Sequence, residues 1–136
     1  MSERDPVELG LPHREPFVFV DSVDELVVGE SATCRKTFPA SLDFFRGHFP
    51  GDPLVPGVLL TEALAQTAGI AAGEPGKAFR LSAIRSMKFL RPVRPDEVVI
   101  LRAQKLGAVG GLLQFETSAR VGNAVVAEGN IILSEP

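Results

Sequence analysis

The sequence has 136 residues, 45% of them hydrophobic and 23% charged, with a formal net charge of −3. These values are typical of a soluble globular chain, and we expect residues 1–136 to form a single domain. A weakly acidic chain has no general attraction for nucleic acid or for anionic membranes. The longest apolar run, 58–72, is interrupted by Glu62 and Gln66 and is too short to span a bilayer. We therefore expect no nucleic acid partner and no membrane insertion.

The N-terminus and the single cysteine indicate a cytoplasmic protein. Residues 1–6 are polar and do not resemble a signal peptide. Cys34 cannot form an internal disulfide, which fits a reducing compartment, and it is interpreted as a buried, inert thiol. Two histidines and one cysteine give no metal-site spacing, and no phosphate-binding or dinucleotide motif is present. We expect neither a metal nor a cofactor.

In chain order, turn residues dominate 1–16, and β-forming residues follow over 17–38. The apolar runs 17–20 and 26–28 favour strands, with a turn near Gly29 and a return strand. Prolines and glycines over 43–56 predict an irregular loop. Pro56 and Gly57 then open the one strongly predicted helix, which runs to about Ala72 and ends at the glycine- and proline-rich segment 73–76.

The second half of the chain is predicted to be β structure. Residues 79–89 alternate with period two, except for Arg85, which we place at a bulge. Turns at 107–111 and 122–123 separate predicted strands at 97–106, 112–121 and 124–133, with Val125 on the inner face of the last. The fold class is then α+β, in the order β-β-loop-α-β-β-β-β, with the last four strands as an antiparallel meander around the helix. Exposed edges of such a sheet favour pairing with a second copy.

Two side chains are candidates for acid/base chemistry. His48 lies in a proline-braced loop that would hold its ring in a defined place for proton transfer near neutral pH, although an isolated loop histidine is more often structural. Glu62 is the only charged residue between Gly57 and Gly73, and a carboxylate on a buried helix needs a partner or a function. A satisfied core carboxylate is the alternative for Glu62.

The start of the helix offers backbone donors. The N–H groups of Gly57 and Val58 have no intrahelical partner and could stabilise a carbonyl oxygen that gains negative charge, although an ordinary helix start is equally compatible. Gln66 lies one turn after Glu62, on the same face, as a positioning hydrogen-bonding residue. A base, an acid and an oxyanion donor together suggest proton abstraction next to a carbonyl.

Three motifs resemble those of the 3-hydroxyacyl-[acyl-carrier-protein] dehydratases of type II fatty-acid synthesis, in the non-isomerising branch. The motifs occupy residues 11–17, 47–66 and 88–95, and the resemblance extends over nearly the whole chain. The related dehydratase/isomerase branch carries aspartate where this sequence has Glu62. The resemblance implies a hot-dog fold, an antiparallel sheet wrapped around one long central helix. It also implies homodimers, which can assemble as trimers of dimers, and sites that combine His48 of one subunit with Glu62 of the other.

The implied reaction is reversible dehydration of (3R)-3-hydroxyacyl thioesters on acyl carrier protein to trans-2-enoyl thioesters, in fatty-acid or related acyl-chain biosynthesis. His48 takes the α-proton and Glu62 protonates the departing hydroxyl, while the substrate-binding set is Gly57, Val58, Gln66 and Phe49. A hot-dog acyl thioesterase and a non-catalytic acyl-binding relative are the alternatives. A thioesterase would release free acid, whereas a silent relative would bind acyl chains without turnover.

Some residues depart from the family pattern or lie outside its chemistry. Glu15 and Ser22 replace an aromatic residue and an arginine, Asp96 replaces a glycine, and tyrosine is absent from the chain. His13 is interpreted as a structural residue of the N-terminal loop. On sequence alone, core positions are favoured for the apolar residues Phe49, Leu59 and Phe89. A basic stretch is either a solvated face or a docking surface for a carrier protein, and consists of Arg80, Arg85, Lys88, Arg91 and Arg94.

Overall fold

The computed structural model describes residues 4–74 and 77–136. Its elements follow the predicted order, with a short 3₁₀ turn inside the predicted loop. They are β1 (Ser22–Val27), β2 (Ser31–Thr37), the 3₁₀ turn (Asp43–Arg46), α1 (Gly57–Ala72), β3 (Arg80–Phe89), β4 (Val98–Val109), β5 (Leu112–Val121) and β6 (Ala124–Ser134). Two predicted segments extend beyond the described residues: 1–3 of the N-terminal turn region and 75–76 of the segment that ends the helix.

The strands form one six-stranded antiparallel sheet in the order β1-β2-β4-β5-β6-β3. The predicted four-strand meander is therefore wrong, because only β4, β5 and β6 are consecutive neighbours. β3 pairs with β6 at the edge of the sheet, and β4 pairs with β2. The physical reason is the connection over 90–97, which contains Pro92 and Pro95 and lacks a tight hairpin turn.

The sheet curls around α1, which contacts all six strands. Ala63, Leu64, Ala68 and Ala71 of the helix are fully buried. The three alanines allow the strands to approach the helix axis closely, so the helix fills the space that the sheet encloses. This arrangement is the hot-dog fold, and the prediction of an α+β protein with a central helix is confirmed.

The helix ends where the sequence predicts. Gly73 has a left-handed φ of 71° and donates its N–H to the carbonyl of Ile70 at 3.0 Å. A Cβ atom at this position would lie 2.6 Å from Cγ1 of Val28, so both the conformation and the space require glycine. The N–H of Gly29 donates to the carbonyl of Ala71, and this bond ties the helix end to the β1–β2 turn.

Two local predictions are wrong. Residues 17–20 do not form a strand, because backbone groups of Phe17 and Phe19 bond to the side chain of Gln66 instead of to a neighbouring strand. The pairing of β5 with β6 shifts by one residue between Ala119 and Arg120. As a result Val126, which is 2% exposed, is buried in place of Val125. The predicted bulge at Arg85 is confirmed by a register shift between Ile84 and Ser86.

Cys34 lies in β2 and is fully buried. Burial in apolar surroundings raises the pKa of its thiol from 9.0 to about 12. Because the thiolate is the reactive form, the neutral buried thiol is a poor nucleophile, as predicted. Among the described residues, no helix is long and apolar enough to cross a membrane.

Candidate active site

The loop before α1 holds His48 through backbone contacts. The N–H of His48 donates to the carbonyl of Phe44 at 3.0 Å, and Leu54 donates its N–H to the carbonyl of His48 at 2.8 Å. Phe49 and Asp52 exchange two backbone hydrogen bonds across the tip of the loop. The rings of His48 and Phe49 stack with centroids 4.1 Å apart. These contacts place the imidazole in one orientation.

The hydrogen bond to the His48 ring determines its protonation pattern. Nδ1 lies 2.8 Å from the carbonyl oxygen of Leu54. A carbonyl oxygen can only accept, so Nδ1 must carry the hydrogen. In the neutral ring the lone pair is then on Nε2, and Nε2 is available as a base.

His48 opens onto an apolar pocket of about 310 Å³ at the start of α1. Its wall includes Gly57, Leu60, Phe89 and Val93. A Cβ atom on Gly57 would lie 2.9 Å from the Phe89 ring, so glycine is what permits this packing. The N–H groups of Gly57 and Val58 have no acceptor within residues 4–74 and 77–136. The pocket thus combines a base, free backbone donors and an apolar wall.

Two phenylalanines expected in the core lie at the surface of the single chain. The exposed fraction is 49% for Phe49 and 51% for Phe89, so their predicted core positions are wrong. Leu59 is partly buried against the core. Val58, predicted to bind substrate, is 75% exposed. Of these side chains, Phe89 belongs to the edge strand β3.

Glu62 lies in a second pocket, of about 260 Å³, together with Gln66 and Phe17. Gln66 donates from Nε2 to Oε2 of Glu62 at 3.0 Å and to the Phe17 carbonyl at 3.1 Å. Its Oε1 accepts the N–H of Phe19 at 2.9 Å. Gln66 is therefore fixed by the N-terminal segment, and it orients Glu62 in turn.

His13 also reaches Glu62, which the sequence did not predict. Its Nε2 is 3.7 Å from Oε2 of Glu62, and the two side chains are 28% and 22% exposed. The motif at 11–17 marked His13 as notable, but nothing in its spacing from Glu62 along the chain indicates contact. Within one chain, Glu62 thus lies with His13 and Gln66, while His48 lies in a different pocket.

The two loops that flank the His48 pocket are linked. Arg94 donates from Nη1 to Oδ1 of Asp52 at 2.7 Å. Asp96 has a left-handed φ of 69°, and its Oδ1 accepts the N–H of Ala40 at 3.1 Å. The left-handed conformation explains why a glycine would suit position 96, and aspartate tolerates it while adding this bond.

Comparison with known proteins places this chain in a class. The family profile described as "ApeI-like: ApeI dehydratase" matches residues 25–130. The solved structure of the dehydratase heterocomplex ApeI:P from Xenorhabdus doucetiae has a TM-score of 0.81 at 20% identity, covering 97% of this chain and 91% of that one. The protein is therefore a dehydratase with a hot-dog fold.

Relatives at higher identity define the family more closely. The chain is 40% identical over 130 residues to the 3-hydroxyacyl-[acyl-carrier-protein] dehydratase FabZ of Rhizorhabdus wittichii, covering 91% of this chain and 83% of that protein. It is 43% identical over 125 residues to the enzyme of the same name from Ruminiclostridium cellulolyticum, covering 89% and 88%. The chain belongs to the 3-hydroxyacyl-[acyl-carrier-protein] dehydratase family, and the resemblance in its motifs is confirmed.

Proposed function

We propose that this dehydratase acts on (3R)-3-hydroxyacyl chains carried by acyl carrier protein, in sites built from two copies of the chain. His48 comes from one copy and Glu62 from the other. One observation carries the proposal: the His48 pocket includes Phe89, at one end of edge strand β3, and the Glu62 pocket includes Arg80, at the other end.

Antiparallel pairing of β3 with the same strand of a second copy would join these half-sites. Such pairing sets the first residues of one strand beside the last residues of the other. The Glu62 pocket of one copy then meets the His48 pocket of its partner, twice per dimer. Contacts of this kind are isologous, as expected for a two-fold dimer.

The surface around β3 supports a partner there. Every residue of β3 except Met87 is exposed, including Leu81 and Ile84. On α1, the exposed Val58 precedes Glu62 by one turn on the same face. An unpaired strand edge beside exposed apolar side chains is typical of an interface. A homodimer is therefore the minimal active form in this proposal, and a trimer of dimers is compatible with it.

The geometry supports a two-step proton transfer. Nε2 of neutral His48 removes the α-proton, and the electron pair moves into the thioester carbonyl, whose oxygen is held by the N–H of Gly57. The enolate then expels the β-hydroxyl, which leaves as water with the proton of Glu62. His48 ends protonated and Glu62 ends as carboxylate, and exchange with solvent restores both groups. No metal or cofactor takes part in these steps.

Subunit mixing tests the shared site. We expect His48→Ala and Glu62→Gln each to retain about 1% of wild-type turnover or less, and activity to return when the two are coexpressed with different tags and the mixed dimer is purified. Each mixed dimer has one site with both wild-type residues, so its turnover should be about half that of wild-type enzyme. The measurement is enoyl formation from a 3-hydroxyacyl thioester. If the mixed dimer is as inactive as its parents, both residues serve the same subunit and the shared site is wrong.

The carrier protein is proposed to dock beside the His48 pocket. Arg91 is exposed and lines this pocket, and no ion pair engages it within the described part of the chain. Arg94, by contrast, is held by Asp52. Arg91 is thus the residue of the basic stretch best placed to meet an acidic carrier.

We expect Arg91→Glu to raise KM for carrier-linked substrate by about 3- to 10-fold with little change in kcat, and salt to reduce the difference. Arg120→Glu, at an exposed position of β5, makes the same charge change away from the pocket and should leave KM unaltered. Reversal at Arg94 is a poorer test, since it also breaks the contact with Asp52. Equal KM values for Arg91→Glu and wild type would refute docking at this site.

A thioesterase on the same fold is the second candidate, and the reaction products separate the two. The dehydratase converts a hydroxyacyl thioester into an enoyl thioester and releases no thiol, whereas a thioesterase releases thiol. The proposed location is the cytoplasm, which the single unpaired Cys34 supports because it needs no oxidising compartment.

A further inference from the structure

His13 and Gln66 both contact the same oxygen of Glu62. Nε2 of His13 is 3.7 Å from Oε2, and Nε2 of Gln66 is 3.0 Å from it. Oε1 of Glu62 has no partner within residues 4–74 and 77–136. We propose that His13 is a positioning residue for the reaction: with Gln66 it holds Oε2, so that Oε1 faces the substrate and carries the transferred proton. The inference rests on the role of Glu62 in the proposed function.

The N-terminal loop does not need the His13 ring to hold its shape. Nη1 of Arg14 donates to the carbonyls of Leu11, Pro12 and His13 at 2.9, 3.1 and 2.8 Å. Neither ring nitrogen of His13 bonds to the loop: Nε2 faces Glu62, and Nδ1 is buried without a hydrogen-bond partner in the described chain. The ring itself stacks against Phe17. A purely structural histidine would use its nitrogens on the loop backbone, so this arrangement favours a role toward Glu62.

The buried Nδ1 indicates which tautomer of the neutral His13 ring fits the site. A hydrogen on Nδ1 would be a buried donor without an acceptor, which is costly. The neutral ring therefore favours its hydrogen on Nε2, and this N–H points toward Oε2 of Glu62. The contact is longer than a hydrogen bond, and catalytic contacts of this kind commonly shorten when the substrate binds.

Two substitutions separate positioning from structure. His13→Phe keeps a ring against Phe17 but removes the donor, whereas His13→Gln places an amide N–H near the position of Nε2. We expect His13→Phe to lower kcat by about 10-fold or more, within the ~10²–10⁴-fold that a positioned acid supplies, with KM little changed. We expect His13→Gln to retain most of kcat. Thermal unfolding of both variants checks the fold, and His13→Leu replaces the phenylalanine variant if that chain does not fold.

The decisive measurement is a double-mutant cycle with Glu62→Gln. If His13 acts through Glu62, adding His13→Phe to Glu62→Gln should cause no further loss of kcat. If folded His13→Phe is fully active while Glu62→Gln has lost its activity, the positioning role of His13 is wrong, and the proposed role of Glu62 stands. Additive losses would show that His13 acts independently of Glu62, and would also overturn it. Full activity of Glu62→Gln would remove the proposed acid and this inference together.

Discussion

Replacing His48 with asparagine is expected to lower kcat by ~10²-fold or more while the protein remains folded. The amide of asparagine can still donate to the Leu54 carbonyl, as Nδ1 of the histidine does at 2.8 Å. It has no group at the position of Nε2 that can accept the α-proton. The prediction isolates the lone pair on Nε2, because the hydrogen bond that orients the side chain is preserved.

His48→Ala provides the comparison for stability. Both variants lose the stacking on Phe49, but only His48→Ala loses the bond to Leu54, so it should be less stable than His48→Asn by about 1 kcal/mol. Both variants should nevertheless be equally inactive. Urea unfolding and turnover of a 3-hydroxyacyl thioester on the same preparations give the two quantities. Near-normal turnover by folded His48→Asn would mean that another group takes the α-proton.

The parts of the fold that the sequence predicts well are those with local signals. Helix α1 begins at Gly57 and ends at Ala72 as predicted, because proline precedes it and glycine with a left-handed φ follows it. The bulge at Arg85 was visible as one residue out of step with the alternation around it. In both cases the residues that determine the structure are neighbours in the sequence.

The errors concern contacts between distant segments. Nothing in residues 80–89 indicates that β3 pairs with β6 instead of β4, since both strands have similar apolar alternation. Residues 17–20 have β-forming side chains, yet the amide of Gln66, far along the chain, satisfies backbone groups there. A local pattern cannot predict which distant partner takes a backbone hydrogen bond.

The candidate site shows the same division. Residue type and surroundings single out His48 and Glu62, and the resemblance in the motifs predicts that they pair across two subunits. The contact of His13 with Glu62 and the ion pair of Arg94 with Asp52 became visible only in three dimensions. They change the interpretation of two residues: His13 gains a proposed role beside Glu62, and Arg94 becomes a poor reporter of carrier docking.

Glu62 is the residue whose catalytic and structural interpretations differ most in their consequences. Its partners are Gln66, which donates to Oε2, and His13, whose Nε2 is 3.7 Å away. A glutamine at position 62 can present its carbonyl oxygen to both of these donors. Glu62→Gln therefore preserves the local contacts and removes only the transferable proton.

We expect Glu62→Gln to lower kcat by ~10²-fold or more, since the β-hydroxyl must then leave without an acid. Stability should change by less than about 0.5 kcal/mol, because the side chain is 22% exposed and no lysine or arginine pairs with it in the described chain. A carboxylate that served only as one half of a buried ion pair would behave in the opposite way. Its loss would cost ~3–5 kcal/mol, and activity would fall only with the folded fraction.

Glu62→Asp is the matched variant, because it keeps an ionisable carboxyl group on a shorter side chain. We expect its kcat to lie between those of wild type and Glu62→Gln, since the acid is present but displaced from Gln66 and from the substrate. Turnover is measured beside urea unfolding for all three proteins. If Glu62→Gln is as active as wild type and equally stable, the hydroxyl is protonated by another group, and His48 is left as the proton carrier of the site.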